Sequence, residues 1–461
     1  MLVPGPPPSY PFPRSSDVDP NPFTPFPSDV FVARRRALLE RLGPAAMVLP
    51  AAPLRRRSRD TDYPYRPDSE LLWVTGMTAP DAVAVLRGYA DEERFVLFVR
   101  ERDPVAETWS GPRMGPEKAR EVYGADAAYP IGELSARLPG LLNGAGSVAF
   151  RLGEGGAGEG EVLEALRTAR VRGGRRGTGP RAVVDPGEFL DEQRLRKDDH
   201  ELARMRAAAR ITIDAFRNVA PRLVTGAGEW EIQGALDGAF RIAGGDGPAY
   251  ETIVGSGPNA CVLHYVQNER RLRGGEMVLI DAGASLGLYA ADLTRTFPVD
   301  GRFTPAGRDV YHIVNEARRA AIQAVRPGAR VSDVHAAALA VIRSGLVDLG
   351  LGAEAGDEAG DGHALWFPHQ TSHWLGLDVH DVGDYARDGE SRLLEPGMVL
   401  TVEPGLYFPA AEDGSARVPP AALAGIGVRI EDDILVTAEG YENLTADFPT
   451  DPEEIAALVR G

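Results

Sequence analysis

The chain has 461 residues, enough for two or three domains, and its 43% apolar content supports a packed core. Lys plus Arg number 50 against 67 Asp plus Glu, a formal charge of −17, which excludes non-specific nucleic-acid binding and a polybasic membrane-surface role. The single cysteine, Cys261, excludes an internal disulfide and a thiolate zinc cluster.

Residues 1–27 are Pro-rich and lack the charged-then-apolar order of a signal peptide. They read as an extended arm. No apolar run reaches the ~20 residues of a membrane helix, so a cytoplasmic protein is expected. A first helix is expected from Ser28 or Asp29 to about Arg41, stopped by Gly43-Pro44. Its Arg34-Arg35-Arg36 run reads as a solvated face rather than an anion site. Strand-like runs follow at 46–49, 71–75, 82–86 and 94–99, an α/β pattern over residues 28–175. Residues 153–158 fit G-x-G-x-x-G between a strand-like and a helical stretch. Glu154 and Glu159 stand where a pyrophosphate would approach, so a Gly-rich turn is the better reading.

Helices are expected at 198–219 and 229–242, strands and loops from 250 to 299, and helices again at 305–325 and 332–349. A Gly- and acid-rich loop, 350–361, precedes further strands up to Val436, and 452–460 closes the chain as a short helix. The fold class expected is α/β (α+β). The domains are an arm at 1–27, an N-terminal α/β domain at 28–190 and a C-terminal domain at 191–461.

A short repeat marks the C-terminal part. Met277-Val-Leu-Ile-Asp281-Ala-Gly283 resembles Met398-Val-Leu-Thr-Val-Glu403-Pro-Gly405, and Asp292 and Glu431 each lie nine residues before a glycine. Each half offers a strand ending in an acid, then a second strand carrying an acid. That suggests a pseudo-twofold domain with a site on its axis. A two-residue turn at Leu286-Gly287 would set Asp281 directly opposite Asp292, with Cβ atoms about 5 Å apart. Two carboxylates so placed repel by roughly 3 kcal/mol at an effective dielectric of about 20. They need a shared proton or a cation, unless they form an ordinary exposed acidic pair. Glu403 and Glu431, in apolar strand-like runs, add two acids that need partners. His369, His373 and His380 cluster in a Trp-, Leu- and Gly-rich segment that does not favour a helix, which excludes the helical H-E-x-x-H zinc motif. Four carboxylates and an imidazole suit Mn²⁺ and similar divalent ions. Two such ions can activate water and polarise a carbonyl.

Five ordered segments carry a family resemblance: Ile253-Val-Gly-Ser-Gly-Pro-Asn-Ala-Cys-Val-Leu-His264-Tyr; Leu279-Ile-Asp281-Ala-Gly with Asp292-Leu-Thr-Arg-Thr-Phe-Pro298; Ser372-His373-Trp-Leu-Gly-Leu-Asp-Val-His380-Asp; Thr401-Val-Glu403-Pro-Gly-Leu-Tyr407; and Gly427-Val-Arg429-Ile-Glu431-Asp-Asp. Residues 195–450 thereby resemble the pita-bread metallopeptidases of family M24, which include methionine aminopeptidase, prolidase and aminopeptidase P. Asp62-Tyr-Pro-Tyr-Arg-Pro-Asp-Ser-Glu-Leu-Leu-Trp73-Val-Thr-Gly76 resembles the N-domain of bacterial Xaa-Pro aminopeptidases.

The resemblance implies an antiparallel sheet covered by helices and two divalent ions, Mn²⁺ first, with Co²⁺, Zn²⁺ or Fe²⁺ as alternatives. It implies Asp281, Asp292, His373, Glu403 and Glu431 as metal ligands, Asp292 and Glu431 bridging. Glu403 would be general base. His264 and His380 would contact substrate and assist proton transfer or carbonyl polarisation, His369 would line the proline side, and Arg429 would orient Asp281. The implied activity is release of the N-terminal residue from peptides with proline second. Prolidase, acting only on Xaa-Pro dipeptides, is the alternative, and a catalytically silent relative used as a binding module is the third reading. A homo-oligomer, dimer or tetramer, is expected on the same ground, with no nucleic-acid or membrane partner. Residues 384–392 depart from the bacterial pattern, and an arginine used there has Arg387 or Arg392 as its candidates. His312 and His335 are expected as packed residues on helices, and His200 and His363 as surface or loop residues.

Overall fold

The computed structural model describes residues 25–153, 158–351, 362–410 and 418–461. Most of the Pro-rich arm, the centre of the 153–158 Gly-rich stretch and most of the 350–361 loop lie outside them. The chain divides into two compact units, Pro25–Arg194 and Leu195–Gly461.

The first unit is a six-stranded mixed sheet with helices. Its strand order is Ala127–Pro130, Phe95–Val99, Val83–Arg87, Ala45–Pro50, Ser147–Ala149, Ala182–Val184. The two central contacts made by Val83–Arg87 are antiparallel, and the outer ones are parallel. The first helix, Ser28–Leu42, matches expectation, but its arginines do not. Arg34 and Arg35 are buried. Arg34 donates to the Trp73 carbonyl at 3.2 Å and Arg35 to the Val74 carbonyl at 3.1 Å. Arg34 also stacks over Trp73, and Arg35 over Phe95. The two guanidiniums thus satisfy the last carbonyls of a neighbouring helix, and only Arg36 is exposed.

That neighbouring helix is Ser69–Thr75, so the run 71–75 is not the strand its Leu, Trp and Val content suggests. Its ends decide the matter. The Asp68 carboxylate accepts from the Leu71 amide at 2.8 Å, and the Gly76 amide closes the last turn onto Leu72.

Besides a small sheet of Gly247–Pro248, Ala284–Leu286 and Tyr289–Ala290, the second unit places two three-stranded antiparallel sheets among helices Asp199–Val219, Glu229–Ile242, Pro305–Ala324, Val331–Asp348 and Pro452–Arg460. One sheet has Met277–Asp281 between Ile253–Ser256 and Thr294–Pro298; the other has Asp432–Val436 between Val399–Val402 and Tyr441–Asn443. Gly405–Phe408 and Ile426–Arg429 pair antiparallel as a separate two-stranded sheet. The repeat is therefore structural: Asp281 ends one strand, Glu403 directly follows another, and Asp292 and Glu431 lead into their antiparallel partners. Among the described residues no helix is long and apolar enough to cross a membrane.

The Asp281–Asp292 register differs from expectation. Leu286 pairs with Tyr289, so the turn is Gly287-Leu288, and both residues have positive φ, 57° and 68°. That is the twist a tight two-residue hairpin requires. The Leu288 amide is held by Asp246 at 2.8 Å, which offsets the strain of a non-glycine residue there. The shift puts Thr294, not Asp292, opposite Asp281. Asp292 falls in a break of the ladder. There the Ala291 carbonyl packs so closely on Gly283 that a side chain at 283 would collide with it.

Candidate metal and peptide site

Strand ends and loops of the second unit converge on a cavity of about 510 Å³. Its walls include Asp281, Asp292, His373, Glu403 and Glu431, together with His264, His369, His380, Arg429 and Tyr250. Each expected metal ligand and substrate-contacting histidine, and Arg429, lines this one space. Asp281, Asp292 and Glu431 are buried, and His373 and Glu403 are partly so.

The backbone explains the convergence. Residues 371–375 run beside Val399–Val402: the Glu403 amide donates to the Thr371 carbonyl at 2.8 Å, and the Thr401 amide to the His373 carbonyl at 2.9 Å. His373 and Glu403 therefore emerge together. The Glu431 amide donates to the Thr294 carbonyl at 3.0 Å, which locks the Glu431 strand to the strand after Asp292.

The side chains are held from behind. His373 Nδ1 lies 3.1 Å from the Trp374 carbonyl, which directs Nε2 inward, 3.5 Å from Asp292 and 3.6 Å from Glu403. Asp292, His373 and Glu431 each offer one ligand atom within a 4.8 Å span. Arg429 pairs with Asp281 and reaches the Thr294 hydroxyl at 3.2 Å and the Tyr407 hydroxyl at 3.1 Å. Thr294 in turn donates to Glu431 at 2.7 Å. His369 Nε2 meets the Tyr407 hydroxyl at 2.8 Å, and its ring packs on Phe367 and Tyr407. The His380 ring sits edge-on to His373 at 4.4 Å.

The electrostatics are those of a site short of positive charge. Burial pushes Glu403 up to about 7; His373 and Arg429 oppose this, and the neighbouring carboxylates reinforce it. Burial and the same neighbours hold Glu431 well above the carboxylate range. Burial raises Asp281 too, despite Arg429. Burial alone would lower His373, but Asp292 and Glu403 lift it to about 9. Burial lowers His369 to about 4, aided by Arg429, and lowers His380, aided by His373. Protons are thus favoured on Asp281, His373, Glu403 and Glu431, while His369 and His380 stay neutral. Oxygen donors plus one imidazole, mutually repelling and buried, fit hard divalent cations, whose charge would replace those protons.

Two features escaped the sequence reading. The Tyr250 hydroxyl contacts both carboxylates of the aspartate pair, Asp281 at 2.6 Å and Asp292 closer still. A phenol has one proton to give, so it can donate to only one of them. The three acids Glu431-Asp432-Asp433 also divide their work. Glu431 faces the cavity, Asp432 pairs with Arg295 at 2.7 Å and with Arg318, and Asp433 accepts from the Asp292 amide at 3.0 Å. Arg387 pairs with Asp384 at 3.7 Å and Arg392 with Glu395 at 3.4 Å, and neither lines the cavity. His335 is part-buried, with Nδ1 2.8 Å from the Thr371 hydroxyl. His312 is exposed on its helix, contrary to the packed position expected, because it faces away from the core stripe. His200 is exposed, and His363 sits in a short 3₁₀ turn.

The segment bearing His380 has one further anchor. Asp381 pairs with Lys197 at 2.9 Å, and both side chains are 1% exposed. Removing one member leaves the other charged and buried. Lys197→Met is therefore expected to lower unfolding stability by ~3–5 kcal/mol, and Lys197→Met with Asp381→Leu to recover most of it. Urea unfolding of the two variants checks this, and a double variant no more stable than the single would contradict it.

Comparison with known proteins gives consistent matches. The profile of Metallopeptidase family M24 matches residues 203–438, and that of Aminopeptidase P, N-terminal domain, matches residues 31–149. The chain is 44% identical to the Xaa-Pro aminopeptidase of Escherichia coli K12 over 433 residues, 93% of this chain and 97% of that protein. Among solved structures it is similar to aminopeptidase PepP of Pseudomonas aeruginosa, with a TM-score of 0.88 at 39% identity, covering 94% and 98% of the two chains. It is also similar to an E. coli aminopeptidase P variant in complex with substrate, with a TM-score of 0.87 at 42% identity, covering 95% and 99%.

Proposed function

We infer, from the premise that the chain belongs to metallopeptidase family M24 and carries the aminopeptidase P N-terminal domain and the pita-bread fold, that it is a metallo-aminopeptidase releasing the N-terminal residue from peptides with proline second. The observation that carries this reading is the convergence of Asp281, Asp292, His373, Glu403 and Glu431 on one cavity that also holds His264, His369 and His380. Those five side chains would hold two divalent ions, Mn²⁺ first. Such ions, when bound, polarise the scissile carbonyl and acidify water.

The chain's own groups supply the rest. Glu403 lines the cavity beside His373 and would act as general base, the role the resemblance implies. His380 is held below the ordinary imidazole range, so it stays neutral and can donate one hydrogen bond to a peptide carbonyl. His264, on the opposite strand connection, would grip the peptide from a second side. His369 lines the cavity with its ring backed by the buried Phe367 and Tyr407, and would present a fixed flat face to a proline ring. A bond to proline has no N–H, so shape rather than a backbone donor must select it. A homo-oligomer, dimer or tetramer, is proposed on the resemblance, and a cytoplasmic location is proposed with it.

Prolidase would use the same ligands and differ in the length of peptide accepted. Hydrolysis of Arg-Pro, Arg-Pro-Pro and longer Arg-Pro peptides separates the two. Cleavage of the tripeptide and longer substrates is expected, and cleavage of the dipeptide alone would assign the protein as a prolidase.

A further inference from the structure

His264 lies on a connection, residues 256–270, that is neither helix nor strand for most of its length. Such a segment needs an anchor if its histidine is to hold one position. The anchor is a single carboxylate. Glu229, in the first turn of helix Glu229–Ile242, is fully buried, at 0% exposure. Its Oε1 accepts from the Ser256 amide and the Ser256 hydroxyl, each at 2.7 Å. Its Oε2 accepts from the Arg270 amide at 2.8 Å and the Tyr265 hydroxyl at 2.9 Å. The Asn259 side-chain amide adds longer contacts of 3.3 and 3.4 Å.

All of these donors belong to the one connection. Ser256 and Arg270 are its two ends, so the carboxylate clasps the ends together. Tyr265 is the residue after His264, so the clasp also reaches the middle. The Glu229 amide returns a bond to the Arg270 carbonyl at 2.9 Å, and Arg270 reaches the Ser256 hydroxyl at 2.9 Å, which closes the ring. With two strong donors on each oxygen, Glu229 has no lone pair left for substrate. It does not line the cavity.

We propose that Glu229 is a positioning residue: it fixes His264 toward the peptide by clasping both ends of its connection and the neighbouring Tyr265. This rests on the role given to His264 under the proposed function. Because one carboxylate collects these donors, a change at that single side chain loosens both ends and the middle of the connection at once. Glu229→Gln keeps the size but turns an N–H₂ toward amide and hydroxyl donors, which breaks the clasp on one side.

The test is a double-mutant cycle on the metal-loaded full chain with an Arg-Pro-Pro substrate: Glu229→Gln, His264→Ala and both together, read as kcat and KM, with bound metal and thermal unfolding recorded. Glu229→Gln is expected to lower kcat/KM by about 10²-fold, as a displaced catalytic group does. Metal content should stay unchanged, and the double variant should be no worse than His264→Ala alone. Losses that multiply in the double variant, or a folded Glu229→Gln with wild-type kcat/KM, overturn the proposal. If Glu229→Gln does not fold, Tyr265→Phe and Ser256→Ala take its place. Each should cause a smaller loss that vanishes in the His264→Ala background, and a loss that persists there overturns the proposal. His264→Ala with undiminished activity overturns the role of His264 itself, a separate outcome from failure of the clasp.

Discussion

Glu431→Gln is expected to abolish divalent-metal binding, to lower kcat/KM by at least about 10²-fold, and at the same time to make the metal-free protein more stable than wild type near pH 8. Partners standing behind metal ligands already cost about 10–100-fold when removed, and a ligand costs no less. The stability gain has a separate cause. Glu431 is buried beside Asp292, Glu403 and Asp281, and its pKa lies well above the ordinary range. In the metal-free native state it must keep a proton that the unfolded chain releases. Each such retained proton costs ~1.4 kcal/mol per pH unit above the ordinary carboxylate pKa. Gln removes that cost and still accepts the Thr294 hydroxyl bond. Metal analysis, peptide kinetics and urea unfolding of the stripped protein read the three effects. Wild-type metal content in the variant would remove Glu431 from the ligand set.

The stripped wild-type protein is expected to lose stability as pH rises from 7 to 9, and divalent ions to restore it most at the upper end. Glu403, raised to about 7, and Glu431 and Asp281, also raised, bind more protons in the native than in the unfolded chain. Their contribution is full below the unfolded carboxylate pKa and is lost as pH rises through the folded values. His373, raised to about 9, has the same sign: its contribution is present below the ordinary imidazole pKa and fades through about 9. Carboxylates held low by partners, such as Asp432, act only at acid pH, and the lowered His369 and His380 act below 7. Glu70, raised to about 7 by burial, and Asp433, raised well above its ordinary value by burial and Asp292, act with the same sign, so it is the metal-dependent part of the change that reports on the cavity. Cations that displace the protons stabilise by mass action, more strongly as protons compete less. Thermal melts of chelated and Mn²⁺-loaded protein at pH 7, 8 and 9 measure this. A metal-induced shift that shrinks with rising pH would contradict the account.

The site was legible because its chemistry sits at strand ends with short, fixed spacing. Asp281, Glu403 and Glu431 follow or lead apolar runs, and carboxylates in such places need partners whatever the fold. Tyr250 was not legible. Its hydroxyl meets residues 31 and 42 positions away, and nothing local distinguishes it from any other tyrosine before a strand. The hairpin register was misjudged by the position of one turn, because Leu288 adopts a positive φ that a leucine rarely takes and that Asp246 supports from elsewhere in the chain. The run 71–75 was misread for the opposite reason: its composition favours a strand, but Asp68 and Gly76 cap it as a helix. Arg34 and Arg35 look like a solvated face in one dimension and become clear only when Trp73, Val74 and Phe95 are brought beneath them.

The central claim is a metal-dependent hydrolysis that requires proline in second position. It is tested most directly by incubating metal-stripped and Mn²⁺-restored protein with Arg-Pro-Pro and Arg-Ala-Pro and following free arginine by mass spectrometry. Release of arginine from Arg-Pro-Pro, only after metal is restored and with little or none from Arg-Ala-Pro, is the predicted result. No release from Arg-Pro-Pro with metal present, or equal release from both peptides, would contradict it.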